Sequence, residues 1–467
     1  MVSALPLPMP LSTSFASLLA TLASEARDAL PKPSLVNASQ ITSLPLEGSL
    51  TVIALVFLGA LIASKLCTRL SIPANLGVLL LGVAITPDAA LLRPEGAETL
   101  HVVSLSMLLF YAGLSSNLRQ LHRLLRHALM LAIGGVMISS VLLGLVIWLI
   151  SYGHANWSLG QVGLPLSVCF LIAATLGSTD AGVTLSVLKT VQHSMPARVK
   201  HLIELESSVN DPAAILFLLV VLGLSSQGFS DDLSLLKAIA VNLQSFLKSI
   251  GSGILVGLIL TYVAKFIFNE MIVNRDQVLV VGMALALSSY GLSTLIGGSG
   301  FITAYVTGAF LANNIYNNAH ITPELLENSF ETFNSLMEML VFLLFGLLFN
   351  PMHLGAYIMP GVLISLCLML VVRPISILAF QPWSPLTSRE TLLLSWCGLR
   401  GAVPLALSYT VVHALPRLPS LSEVQVEAVG QAVENLIFVI VVTNLCLQGF
   451  SLPKLCRRLG FSGNPAH

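Results

Sequence analysis

Charge is what this sequence has least of. Of 467 residues only 9% are Asp, Glu, Lys or Arg, while 55% are hydrophobic. A soluble domain carries about 25% charged residues. A chain of this size could not cover a water-facing surface with so few, and its composition indicates a membrane protein. Basic and acidic residues balance at 22 each, so no basic excess invites nucleic acid. The six cysteines (Cys67, Cys169, Cys367, Cys397, Cys446, Cys456) are scattered, with no CxxC and no metal-ligand spacing. They read as small packing residues. The clusters Gly251–Gly253 and Gly298–Gly300 follow no strand and precede no Lys, which excludes a nucleotide loop. No cofactor is expected. The ten histidines fall mainly at segment ends, where an interfacial place accounts for them.

What is present is a series of apolar runs. Thirteen are long enough to cross a bilayer: 49–68, 74–87, 100–116, 127–152, 163–189, 203–224, 247–268, 277–295, 299–313, 331–349, 355–380, 390–412 and 428–450. The stretch 231–246 reads as an amphipathic connection. Residues 1–48, rich in Ser, Thr, Pro and Ala, lack the basic start of a signal peptide and form a separate extracytoplasmic segment. Residues 49–452 form the transmembrane domain, and 453–467 a short cytoplasmic tail. Loops after odd-numbered spans, with the tail, hold 14 of the 22 Lys and Arg residues; the opposite side holds 6, and Arg373 and Arg400 lie within spans. The positive-inside rule then puts the N-terminus outside and the C-terminus in the cytoplasm.

Span five contains GSTDAG (Gly177–Gly182) and span twelve GLRGAVP (Gly398–Pro404). Their offset of seven spans makes them run in opposite directions, as corresponding broken helices of an inverted repeat do. The expected fold is an all-α polytopic membrane protein with about thirteen helices. Two inverted six-helix repeats, joined by span seven, would cross at their broken helices.

A charge at mid-bilayer costs roughly 2.5–3.5 kcal/mol even on lenient scales. Asp180, Glu206, Asp211, Arg373 and Arg400 therefore have to face one another, a ligand or water. On one helix Glu206 and Asn210 are four apart, as are Ser207 and Asp211, so all four share a stripe. Pro212 has no N–H and releases the carbonyl of Ser208. Such hard oxygen donors suit an alkali cation better than a soft metal. Glu206 has a second reading, as one half of a buried ion pair with Arg373 or Arg400. Breaks in spans five and twelve would leave positive and negative helix ends at membrane depth, which Asp180 and Arg400 can neutralise. Thr179 adds a hydroxyl and a carbonyl. Glu338 has no evident partner and reads as a satisfied polar residue.

ESSVNDPAA, GSTDAG and GLRGAVPLAL, in this order, resemble the monovalent cation/proton antiporter 1 family, and LESSVNDP resembles its bacterial cell-volume-regulation branch. The resemblance covers roughly residues 50–450. It implies exchange of Na+ or K+ for a proton, electroneutral and one for one, by elevator-like alternating access. It implies a homodimer in the plasma (inner) membrane. Carried over residue by residue, Asp211 is the carboxylate shared by cation and proton, Asn210 its partner and Glu206 the acid beside it. Asp211, Ser207 and Thr179 are implied as Na+ or K+ ligands, Asp180 as a further site contact, and Arg400 and Arg373 as structural cations. Three departures stand out: Asp180 is followed by Ala181 where many relatives have Pro, FYAGL (Phe110–Leu114) replaces a double-glycine form, and the branch's long cytoplasmic domain is missing.

Two other readings compete. A passive cation channel would use the same polar residues, but a single deep acid suits alternation better than flow. Asp180 and Asp211 also suggest an intramembrane aspartyl protease, yet no GxGD pattern occurs and two embedded arginines would spoil a shared proton.

Overall fold

A computed structural model describes residues 46–69, 73–85, 94–116, 122–153, 163–180, 183–184, 187, 197–225, 232–271, 275–318, 321–349 and 354–461. Among these every regular element is helical. In chain order they are α1 (Leu46–Arg69), α2 (Ala74–Ile85), α3 (Pro94–Leu114), α4 (His122–Leu129), α5 (Val136–Gly153), α6 (Leu166–Thr175), α7 (Ala197–Ser225) and α8 (Asp232–Glu270). Then follow α9 (Arg275–Leu295), α10 (Gly300–Ala312), α11 (Pro323–Leu348), α12 (Leu354–Cys367), α13 (Arg373–Leu378), α14 (Ser388–Trp396), α15 (Ala402–Ala414) and α16 (Glu423–Arg458). Short π-helical stretches, Met130–Gly135 and Leu368–Val372, join α4 to α5 and α12 to α13 without a loop. Nearly all of the expected segment 1–48 and the end of the tail lie outside the described residues.

Among the described residues seven helices are long and apolar enough to cross a membrane: Arg126–Ser151, Arg198–Ser225, Leu247–Glu270, Gln277–Leu295, Pro323–Leu348, Leu354–Leu378 and Glu423–Arg458. Four shorter apolar helices, Ala74–Ile85, Thr99–Leu114, Leu166–Thr175 and Gly300–Ala312, fall within expected spans two, three, five and nine. Spans eight and nine are separate helices, parted by a turn in which Gly297 takes φ +75°, a conformation that costs a glycine little. Residues 232–246 lie outside the apolar span Leu247–Glu270 but are helical and continuous with it in the 39-residue α8. Helix α16 runs through Pro453 to Arg458.

Local signals set several helix starts. Thr322 accepts from the Leu325 N–H, with Pro323 opening α11 where its missing N–H costs nothing. Capping boxes start α14 (Thr387 with Glu390) and α16 (Ser422 with Gln425). Between helices, small residues permit close approach. Gly113 of α3 and Gly308 of α10 face each other so tightly that a methyl on either would collide with the opposite backbone.

The helices sort into two groups. Helices α1–α3 and α8–α11 pack mainly with one another, as do α4–α7 and α12–α16. The groups meet where α7 touches α3, α8 and α10, and where α15 touches α3 and α11. Each half of the chain thus contributes to both groups, and the buried charged residues Glu206, Arg373, Glu390 and Arg400 lie in the second.

Candidate functional site: a crossing of two interrupted helices

Helix α6 stops at Thr175, and after a turn at Leu176 and Gly177 the chain is non-helical over Ser178–Asp180, regaining helical form at Val183 and Thr184. Span twelve is interrupted in the same way, between the end of α14 at Trp396 and the start of α15 at Ala402. The interruptions touch. The Asp180 N–H donates to the Leu399 carbonyl at 2.8 Å.

Two charged side chains serve the loose ends. Asp180 Oδ1 accepts from the Val183 N–H at 2.9 Å, and its carboxylate lies against Gly401, the residue that caps α15. A single acid therefore stands at two helix starts, where unpaired N–H groups favour negative charge. Arg400, fully buried, sends Nη1 to the Ser178 carbonyl at 2.6 Å, just beyond the end of α6. Its own backbone N–H donates to Asn444 Oδ1 of α16 at 3.0 Å.

Helix α7 supplies the other wall and runs through Pro212 unbroken. The Ser207 hydroxyl donates to the Thr179 carbonyl at 2.6 Å. Asn210 holds Thr179 twice: its Nδ2 donates to Oγ1 at 2.5 Å, and its Oδ1 accepts from the backbone N–H at 3.3 Å. The Ser178 hydroxyl donates to Asp211 Oδ1. One turn of helix thus grips two residues of non-helical chain. Ser207, Asn210, Ser178 and Thr179 are buried, and Asp211 is half-buried. Asp180 and Asp211 lie within electrostatic reach of each other.

Glu206 points elsewhere. Its two oxygens accept from Nη1 and Nη2 of Arg373 at 2.7 and 2.9 Å, with both side chains buried. Of the two arginines open as its partner, Arg373 is the one that pairs. Arg373 Nε lies beside Gly398, so the pair braces the second interruption from behind.

Several residues were missed by reading the sequence. Ser178 touches both Asp211 and Arg400, and its position inside GSTDAG was the available signal. Glu338 does have a partner, since Asn75 Nδ2 of α2 donates to its Oε1. From α10, the Tyr305 hydroxyl lies 3.3 Å from Ser116 Oγ and within electrostatic reach of Asp211. His101 and His127 are buried rather than interfacial. Among the described residues no cluster of three or more His, Cys, Asp or Glu is placed to hold a metal ion.

An apolar helical bundle with charged groups gathered at crossed helix breaks is the anatomy of a membrane transporter. The profile of the family described as "Sodium/hydrogen exchanger, transmembrane" matches residues 53–458, and the chain belongs to that family. It is 30% identical over 432 residues to the K(+)/H(+) antiporter NhaP2 of Shewanella oneidensis, covering 90% of this chain and 68% of that one. It is 26% identical over 445 residues to the low-affinity Na(+)/H(+) antiporter NhaS1 of Synechocystis, covering 92% and 77%. The solved structure of the sodium proton antiporter MjNhaP1 from Methanocaldococcus jannaschii superposes with a TM-score of 0.72 over 87% of this chain and all of that one. At 21% identity that likeness speaks for the fold.

Proposed function

We propose that this protein is a secondary transporter that exchanges Na+ or K+ for a proton, one for one and without net charge movement. Family membership supports the class of reaction, and the names of the relatives support both cations as candidates. The observation that carries the site is the grip of α7 on the first interruption. It brings the Ser178 hydroxyl to the Asp211 carboxylate and the Ser207 hydroxyl to the Thr179 carbonyl, on adjacent residues of the interrupted chain. Hard oxygens of this kind replace the hydration shell of an alkali ion.

In this reading Asp211 takes either a proton or the cation, and Ser207 and Thr179 complete the cation's shell. Asn210 fixes Thr179 and does not titrate, since an amide carries no exchangeable charge near neutrality. Asp180 and Arg400 hold the interrupted backbone open by neutralising its helix ends. Glu206 and Arg373 act as a structural pair, which removes Glu206 from the cation shell. Access alternates as the group containing α4–α7 and α12–α16 moves against the other. Thirteen spans in two inverted repeats, the N-terminus outside, a homodimer and a plasma (inner) membrane location complete the proposal. The sorting of each chain half into both helix groups supports the repeat.

The test is transport by the purified protein in proteoliposomes. An imposed Na+ or K+ gradient should drive protons the opposite way, seen with a trapped pH dye. A passive channel would instead let the cation run down its gradient with no proton moved, and that result would refute the proposal.

A further inference from the structure

His101 lies on α3, in the first helix group, and is buried. Its Nε2 is 3.2 Å from Thr410 Oγ1 on α15, in the second group. Its ring lies 5.0 Å from that of Tyr409, and on the Tyr409 side of α15 the ring of His413 follows at 4.0 Å. His413 is exposed, and its Nδ1 lies 2.9 Å from the Tyr409 carbonyl. A ladder of two imidazoles and a phenol thus bridges the boundary between the groups.

The far end of α15 matters. Its cap, Gly401, rests against Asp180 at the crossing. Thr410 is nine residues further on, about 13.5 Å along a rigid rod. Whatever holds Thr410 therefore also sets where the crossing sits relative to α3. We propose that His101 is a positioning residue for exchange: neutral, it ties α15 to α3, and its protonation releases the second helix group. This rests on the exchange reading above, and on the proposed topology, which puts the contact at the extracytoplasmic ends of spans three and twelve.

The chemistry follows from the imidazole. A neutral ring has one N–H and one lone pair, and Nε2 can accept from the Thr410 hydroxyl. A protonated ring has two donors and no lone pair, so the bond persists only in reverse, with Nε2–H donating to Thr410 Oγ1. It also places a full charge in a buried position, which is costly without a counter-ion. The groups that face it from α15 are His413, the charge that acts on it, and the Tyr409 phenol. From α7, α9, α10 and α11, which also pack against α3, no charged group acts on it among the described residues. Histidine makes this change between about pH 5 and 8, so acid on the outer face is the trigger.

Deuterium uptake over residues 402–414 of the full chain in liposomes reads the tie directly. After correction for intrinsic rates, wild type should exchange several-fold faster at about pH 5.5 than at about pH 7.5. His101→Gln should lose that step, and Thr410→Val should be fast at both values. In transport, His101→Gln should keep the neutral-pH KM for the cation and depart from wild type only in the acid limb of the maximal rate, where the proton's own part as substrate remains. An acid step in His101→Gln equal to that of wild type would overturn the proposal. If His101→Gln does not fold, Thr410→Val serves, since it removes the other half of the same contact: an acid step in Thr410→Val equal to that of wild type would overturn the proposal. Wild type that shows the step without exchanging ions would refute the transport reading while supporting the tie. Exchange without any step in wild type would do the reverse.

Discussion

Arg373 meets Glu206 with two parallel hydrogen bonds, of 2.7 and 2.9 Å, in the interior of the second helix group. The geometry is that of a bidentate guanidinium–carboxylate pair, in which no oxygen is left over for a passing ion. Removing one partner strands the other. Glu206→Gln should therefore destabilise the protein by about 3–5 kcal/mol, and Arg373→Ala by a similar amount. Thermal unfolding in detergent reads this out. Normal melting of Glu206→Gln with weakened cation affinity would instead make Glu206 a ligand.

Asp211→Asn keeps the shape of the side chain and its contact with Ser178 while removing the exchangeable charge. Exchange should fall to background in proteoliposomes, with melting temperature and size-exclusion profile unchanged. A folded variant that still exchanged would move the site elsewhere.

Asn210 uses its amide as donor and acceptor at once, on the hydroxyl and the N–H of Thr179. An aspartate can only accept when ionised. Asn210→Asp should thus leave the Thr179 hydroxyl without its donor, at a cost of about 1–3 kcal/mol. Cation KM should rise in the variant. An unchanged KM would show that Thr179 does not depend on this grip.

Electroneutrality can be tested by clamping the membrane potential. With a single exchanging carboxylate, the steady-state cation gradient should be the same at every potential. A carrier of two protons per monovalent cation would gain about 2.3 kcal/mol per 100 mV. A gradient that followed the voltage would require a second titrating acid, and Asp180 would be the first to examine.

Glycines 398 and 401 offer a contrast within one interruption. A methyl at Gly401 would overlap the Asp180 carboxylate, whereas one at Gly398 would meet Arg373 Nε at 3.1 Å, at the end of a flexible side chain. Gly401→Ala should abolish exchange and lower the melting temperature, and Gly398→Ala should be the milder of the two. The reverse order would mean that the second interruption, and not Asp180, is the part that gives way.

Much of this site was readable from residue type and spacing. GSTDAG and GLRGAVP marked the places where α6 and α14 stop, because clustered glycines and a buried charge cannot be explained on an intact apolar helix. The four-residue spacings of Glu206, Ser207, Asn210 and Asp211 put them on one turn, yet that turn divides: Glu206 faces α13, and the other three face Ser178 and Thr179. Spacing along one helix gives neighbours on a surface. It does not say which other helix will face them, so the choice of Arg373 over Arg400 required packing. The Asn75–Glu338 contact escaped for the same reason, since its partners are 263 residues apart. His101 stood close to a span boundary in the sequence but lies beneath α15 in the fold. The length of α8 was hidden because an amphipathic stretch and an apolar run look like two objects when hydropathy alone is read.

The bond from the Asp180 N–H to the Leu399 carbonyl joins the interruptions through peptide groups alone. Any residue except proline carries the N–H that position 180 needs, and every residue carries the carbonyl that position 399 needs. The join of the crossing is consequently carried by backbone and its charge by side chains of the same residues and their neighbours. Mutational drift can exchange the side chains that tune the ion while the peptide join persists. A change of cargo on this scaffold is then a short walk in sequence, with no need to rebuild the fold at each step.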